Sequence, residues 1–481
     1  MPTLRILISV LGLLTAGSAC VAATLRAGAH ATDITPASFP SPINGGMKGA
    51  FSSTVRDPMH ARSLVIESGG ASLVLCIVDA CMIPREICME ARRVAARATG
   101  IAESRILISA THAHSCATLT PAFQSDPDPA YVATVPARIA ESIIRAHANL
   151  EPAEIAWGSD RDPTQVFNRR WFVKEGQNYE NPFDGKADRA WMNPGHQNAK
   201  VAGSAGPVDD EVAILAVRAK SGGRPLALWA NYSLHYVGGV PAISADYFAA
   251  FARETAVRLG TGDDRYAGKP AFVGAMSNGT SGNINNVNYA RPAPSPRPAP
   301  GAQVETVARS VANAAMRAWA RLEWRADARV ATAERDISLA VRKADAAELA
   351  RARRIVETTP RDKDGQFSDR KAIYAREALL LDAYPDRVPV ALQAHRIGDL
   401  TIAAIPCEVF VEIGLELKAA KSLGQHFTIS LANGYNGYLP TPEHHRLGGY
   451  ETWRARSSYL ETDASTVIVA TLRELLAEVA R

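Results

Sequence analysis

Between residues 105 and 115 the chain reads RILISATHAHS, a short apolar run that ends in two histidines one alanine apart. Neutral imidazole is both a metal ligand and a proton carrier near neutral pH. If the extended conformation of Ile106, Leu107 and Ile108 persists through Thr111, the period of a strand puts His112 and His114 on one face, about 7 Å apart at Cα. Two imidazoles so placed could share a metal. Alternatively one binds metal while the other handles substrate, or the two form an ordinary hydrogen-bonded surface pair. Other apolar runs also end in ionisable or ligating groups, at Asp79, His235, Glu408 and Tyr438. Ligand sites in α/β proteins collect at the carboxyl ends of strands, so these distant residues can converge. Two imidazoles, a carboxylate and a phenol oxygen make a mixed nitrogen and oxygen set suited to zinc, with room for a water.

A serine nucleophile is the rival chemistry. Residues 275–279, AMSNG, follow an apolar run and loosely resemble a nucleophile elbow centred on Ser277, although the first glycine is missing and no helix pattern follows. Residues 202–206 imitate the motif less well. The wider stretch 275–286, AMSNGTSGNINN, is dense in glycine, hydroxyl and amide groups and could present N–H groups to an oxyanion, or be an ordinary turn. HExxH, P-loop and dinucleotide fingerprints are absent.

These side chains need strands that stop at a common edge. Residues 73–79 predict a buried strand and 85–99 a helix, with Ile87, Ala91, Val94 and Ala98 on one face and Gly100 as its stop. Strand, helix and strand then deliver His112. A second helix over 130–148 carries Val132, Val135, Ile139 and Ile143 at the spacing of a buried stripe. Residues 225–235, PLALWANYSLH, repeat the design of the opening stretch, and a helix over 244–259 follows with Ser244 as candidate cap. Strands are expected at 400–405 and 427–431, and helices at 304–322 and 464–479. The aromatic, Asn-rich segment 166–201 is longer than an idle loop, and 290–300, ARPAPSPRPAP, is an extended surface loop or linker. The charged helical pattern over 344–384 predicts a solvated appendage.

Composition sets bounds. With 47% hydrophobic and 21% charged residues the chain is an ordinary globular protein, the alternation of strands and helices makes it α/β, and a net charge of +4 over 481 residues argues for neither nucleic acid nor a membrane surface as partner. The start reads as an export signal over 1–23: Arg5, an apolar run from Ile6 to Leu14, then small residues before Thr24. Acylation at Cys20 would need a leucine where Gly17 stands. A periplasmic or secreted protein with no integral membrane segment is expected. Export permits disulfides, yet cleavage would leave Cys76, Cys81, Cys88, Cys116 and Cys407, an odd number with no Cys-x-x-Cys pair.

Most of the expected mature chain resembles the neutral or alkaline non-lysosomal ceramidases. The motifs that carry the resemblance are ATHAHS, NYSLH followed by SADY, IPCEVF, and GYLPTPEHHRLGGYE, in which Tyr438 and Tyr450 keep the family's spacing of 12. The resemblance implies a multi-layered mixed β-sheet core flanked by helices and one catalytic domain over 24–481; as a departure from the family, no strand-rich stretch resembling its C-terminal immunoglobulin-like domain is expected before Arg481. It further implies that His112, His235, Glu408 and Tyr438 hold zinc, and that His114, Arg169 and Tyr450 contact the scissile amide and its oxyanion. The family's GDVSPN-like loop aligns with residues 282–287, so Asn285 occupies the place of its serine and Asn283 that of its aspartate. An amide cannot replace a hydroxyl as nucleophile but can still donate a hydrogen bond. The implied activity is zinc-dependent hydrolysis of a linear amide in an N-acyl substrate such as ceramide, with zinc lowering the pKa of its water from about 16 towards 7. Two alternatives are a non-catalytic metal- or ligand-binding protein of the same fold and a metal-free serine esterase using Ser277.

Overall fold

Strand Ala71–Val78 is apolar almost throughout, and both of its faces are buried. Val74, Cys76 and Val78 enter a core shared with helices, whereas Leu73, Leu75 and Ile77 enter a second core shared with another sheet. The period of two thus sends alternate side chains into different layers, which is why such a strand is continuously hydrophobic. The computed structural model describes residues 25–420 and 424–481. The export signal expected over 1–23, with Cys20, lies outside the described residues.

Eight strands form the large mixed sheet, in the order Val273–Asn278, Pro225–Tyr232, Glu211–Ala219, Glu151–Arg161, Arg26–Asp33, His60–Ser68, Ala71–Val78 and Ile106–Ala110. The pair at each edge is parallel and the pairings between are antiparallel. Helices Arg85–Thr99, Pro129–Ala148, Asp246–Arg258 and Ala302–Trp319 cover one face. On the other face lies a four-stranded sheet, Val330–Ala340, Arg387–Ile397, Leu400–Ala404 and His426–Ile429, whose far side packs against helix Ala464–Ala480. The expected layered α/β architecture is therefore present. Leu64, Leu75 and Leu215 between the two sheets are fully buried, each worth about 1.5–3 kcal/mol relative to exposure.

The large sheet is rolled until its edges meet. Strands Pro225–Tyr232 and Ile106–Ala110 stand second and eighth in the order, so on a flat sheet six spacings, about 29 Å, would part them. Instead Asn278, at the end of the other edge strand, donates from Nδ2 to Thr111 O at 3.1 Å and to Leu234 O at 3.3 Å. One buried amide ties together the residues that precede His112 and His235.

Three expectations need comment. Residues 344–384 are not a solvated appendage: helix Ala346–Thr358 buries only Ala352, but helix Arg370–Asp382 buries Ala372, Ile373, Tyr374, Ala375, Ala378 and Leu381. Phe367 and Tyr374 share a core with Phe123 and Trp453, so this region walls the candidate site described below. The many charges of the segment masked the apolar face. Segment 166–201 carries short strands, Arg170–Val173 lying between Ala190–Met192 and Val201–Ser204, while 291–300 are exposed without a regular element. Cys76, Cys81, Cys88, Cys116 and Cys407 are all free and buried.

Candidate metal centre

The strand that leads to His112 stops at Ala110, and the extended conformation does not continue through the histidines. His112 has φ 71°, a left-handed conformation that is uncommon outside glycine and is held here by its N–H on Ala80 O at 2.8 Å. The two imidazoles therefore meet through a turn rather than along a strand face, with their Nε2 atoms 3.1 Å apart.

Every Nδ1 in the cluster faces a backbone carbonyl: His112 on Cys81 O at 2.8 Å, His114 on Gly45 O at 3.1 Å and His235 on Ser281 O at 3.1 Å. A carbonyl only accepts, so each Nδ1 carries a proton and each ring turns its Nε2 inward. His112 Nε2 lies 3.0 Å from His235 Nε2 and 3.2 Å from Glu408 Oε2, which is 3.8 Å from His235 Nε2. Glu408 comes from the short strand Glu408–Val409, paired in parallel with Tyr438–Leu439 so that Glu408 and Tyr438 are register partners. Its Oε2 is buried and faces the histidine rings. Converging lone pairs beside a buried carboxylate oxygen repel one another unless a proton or a cation lies among them. Tetrahedral zinc with ligands at 2.0–2.2 Å would space them about 3.3 Å apart, close to the three separations here. The residues fit the metal.

The charge balance agrees. Burial opposes protonation of His112, yet Glu408 and then Cys81 outweigh it and push its pKa up to about 10. Burial, reinforced by His112, drives His114 well below its ordinary value, and burial with Arg169 and then His112 does the same to His235. Burial raises the Glu408 carboxyl, but His112, the Tyr438 phenol and Arg169 bring it below the usual range. Near neutral pH the cluster holds an ionised carboxylate, two neutral imidazoles and one proton that a metal would displace.

Arg169 is buried beside this cluster. It donates from Nη2 to the Tyr438 hydroxyl at 3.1 Å and to Gly282 O at 2.7 Å, and from Nε to Glu451 Oε1 at 3.1 Å. Arg170 Nη1 takes Glu451 Oε2 at 2.6 Å. Tyr450 packs its ring against Tyr438, Phe123 and Trp453, and burial pushes both the Tyr438 and the Tyr450 phenols up, so they remain donors. A cavity of about 40 Å³ adjoins the cluster, lined among others by His112, His114, Glu408, Tyr438, Tyr450 and Phe123. That admits waters and a reacting group.

His112, His114, His235, Glu408, Tyr438, Arg169 and Tyr450 are thus brought together. Asn285 uses its amide elsewhere: its Nδ2 donates to Asn193 Oδ1 at 2.9 Å and its Oδ1 accepts from Val287 N. Asn283 is committed to Glu412 and to Val411 N. Asp79 pairs with Arg62 at 2.6 Å. Ser277 lies inside strand Val273–Asn278, not on a strand-to-helix turn, and its hydroxyl donates to Ala230 O at 3.1 Å, so the elbow is absent. Sequence reasoning passed over Glu451, Arg170, Tyr435, Asn278 and Tyr236, whose ring stacks on His114 at 3.7 Å. Arg170, Tyr236 and Glu451 each adjoin a nominated residue, which was the available signal.

No protein-family model and no curated protein matches the chain. Solved structures do. A neutral ceramidase from Pseudomonas aeruginosa superposes with a TM-score of 0.69 at 16% identity, over 95% of this chain and 75% of that one. A ceramidase complexed with C2 gives 0.67 at 16% identity over the same shares. At this identity the likeness is one of fold, and the chain has a neutral-ceramidase-like fold.

Proposed function

We propose that the chain is a zinc-dependent hydrolase of a linear amide bond in an N-acyl substrate, an N-acyl lipid such as ceramide being the first class to test. The observation that carries this reading is the convergence of the Nε2 atoms of His112 and His235, each ring oriented by a backbone carbonyl at Nδ1, on the buried Glu408 Oε2. His112, His235 and Glu408 would hold the metal, with Tyr438 as a further oxygen donor. When bound, the ion supplies Lewis acidity and an acidified water.

The remaining groups serve the substrate. His114 lines the cavity beside the cluster, which supports a role toward substrate, although Cys81, His112 and His114 also lie close enough together to hold a metal. Its bare Nε2 would take a proton from the attacking water and return it to the leaving amine. The protonated Tyr450 phenol would donate to the developing oxyanion, and Arg169 would orient the acyl carbonyl. Asn285 would line the substrate path at a distance. The cavity beside the cluster would leave room for a water in addition to the four protein ligands His112, His235, Glu408 and Tyr438, which supports catalysis over a purely structural metal. Export to the periplasm or medium is proposed from the sequence of residues 1–23; among the described residues no helix is long and apolar enough to cross a membrane.

The test is metal analysis of purified protein together with turnover of an N-acyl panel, with and without chelator. Chelator-sensitive amide hydrolysis with stoichiometric zinc is expected. A zinc-free preparation of full activity would refute the reading.

A further inference from the structure

A carboxylate can turn either oxygen toward a metal, and something must decide which. Glu408 Oε1 accepts from the Tyr435 hydroxyl at 2.8 Å, whereas Oε2 faces His112 Nε2 at 3.2 Å and His235 Nε2 at 3.8 Å. The phenol engages one oxygen and leaves the other to the histidines. Tyr435 is itself held rigidly relative to Glu408. Asn433, Gly434 and Gly437 take positive φ, so the backbone turns on both sides of the tyrosine. Asn436 N donates to Pro406 O at 2.6 Å and Glu408 N to Gly437 O at 2.9 Å, so the two segments are tied on both sides of the tyrosine. The Tyr435 ring also stands as a wall between the 40 Å³ cavity at the cluster and an outer cavity of about 390 Å³ lined by Tyr384, Pro385, Pro389 and Tyr459.

We propose that Tyr435 is a positioning residue of the candidate metal centre: its phenol fixes the Glu408 carboxylate so that Oε2 addresses the site, while its ring closes the site from the outer cavity. The inference rests on the reading of His112, His235 and Glu408 as metal ligands. Partners of metal ligands fix ligand orientation, and losing one weakens metal binding by about 10- to 100-fold.

Tyr435→Phe keeps the wall and deletes only the O–H. The experiment measures zinc affinity of the full chain by competition with a chromogenic chelator, for wild type, Tyr435→Phe, Glu408→Gln and the double variant. Thermal melts of the metal-free proteins check the fold. Tyr435→Phe should melt like wild type and bind zinc about 10- to 100-fold more weakly, and it should cost nothing further in the Glu408→Gln background, because its effect passes through that carboxylate. A merely structural role would persist in the double variant. Tyr435→Phe binding within twofold of wild type, or a full additional loss in the double variant, would overturn the inference. A wild type that takes up no zinc overturns the metal reading and this inference together, and is told apart because it is seen before any substitution.

Discussion

Replacing Glu451 by glutamine removes the negative charge on which two buried arginines depend. Glu451 is fully buried, Arg170 likewise, and Arg169 is 4% exposed. The carboxylate takes Arg169 Nε on one oxygen and Arg170 Nη1 on the other. Glutamine has the same shape but one accepting oxygen, so its NH2 group would face a guanidinium and leave a desolvated positive charge uncompensated. Breaking one side of a buried pair costs about 3–5 kcal/mol. The other bonds of the arginines, to Gly282 O, the Tyr438 hydroxyl and Gly448 O, survive and spread part of the charge. We therefore expect the lower end, about 3 kcal/mol, or roughly 150-fold in the unfolding equilibrium. Urea unfolding followed by tryptophan fluorescence measures it. Glu67→Gln is the control, since Glu67 meets Arg26 at 3.2 Å in the open, with side chains 28% and 47% exposed, and such pairs are worth about 0–1 kcal/mol. Were Glu451→Gln to fall within about 1 kcal/mol of wild type, the two arginines would not depend on this carboxylate and the reasoning would fail.

Further outcomes follow from the same geometry. His112→Ala or His235→Ala should sharply lower zinc content after reconstitution and dialysis, and full occupancy in the double variant would remove both from the ligand set. His114→Ala should retain zinc and lose turnover, by roughly 100-fold or more if it is the proton carrier; loss of metal with activity would make it a ligand instead. Ser277→Ala should keep most of its activity, and wild type should not react with a serine-directed probe; a covalent adduct on Ser277 would reverse the choice of nucleophile. Burial, with Arg92, pushes the His395 pKa down to about 3, and burial with Lys418 does the same to His426. The unfolded chain then binds protons at these positions from about pH 6.5 downward while the folded chain does not, so stability falls as pH drops from about 6.5 to 3. Substituting His395 by Asn should flatten that loss in acid-unfolding curves; an unchanged slope would count against the assignment.

Much of the site was legible because its residues end apolar runs. His112, His235 and Glu408 each follow a strand whose hydrophobic pattern is plain in the chain, and the helices around 85–99, 130–148 and 464–479 lie within a residue or so of where periodicity predicted them. What periodicity could not supply was distance. A strand pattern does not state that the large sheet closes on itself, so the sequence suggests the approach of His112 to His235 only through the resemblance, whereas the structure shows Asn278 bridging the segments that precede them. The spacing of His112 and His114 suggested a shared strand face, and the pair does meet, but through a left-handed residue that no alternation encodes.

The residues that sequence reasoning passed over act on other residues rather than on solvent or substrate. Glu451 holds two arginines, Tyr435 holds a carboxylate, Asn278 holds two backbones, and each needs a partner distant in the chain to have any role. A ligand type announces its chemistry through its own side chain, while a positioning residue announces nothing until its partner is beside it. The same logic explains Asn285. Its polar loop invites a catalytic role, but the hydrogen bonds of its amide are already made to Asn193 and to its own turn. Under the proposed hydrolysis, with water as nucleophile, no hydroxyl is needed at that position, only a loop that keeps its shape while Arg169 reaches Tyr438.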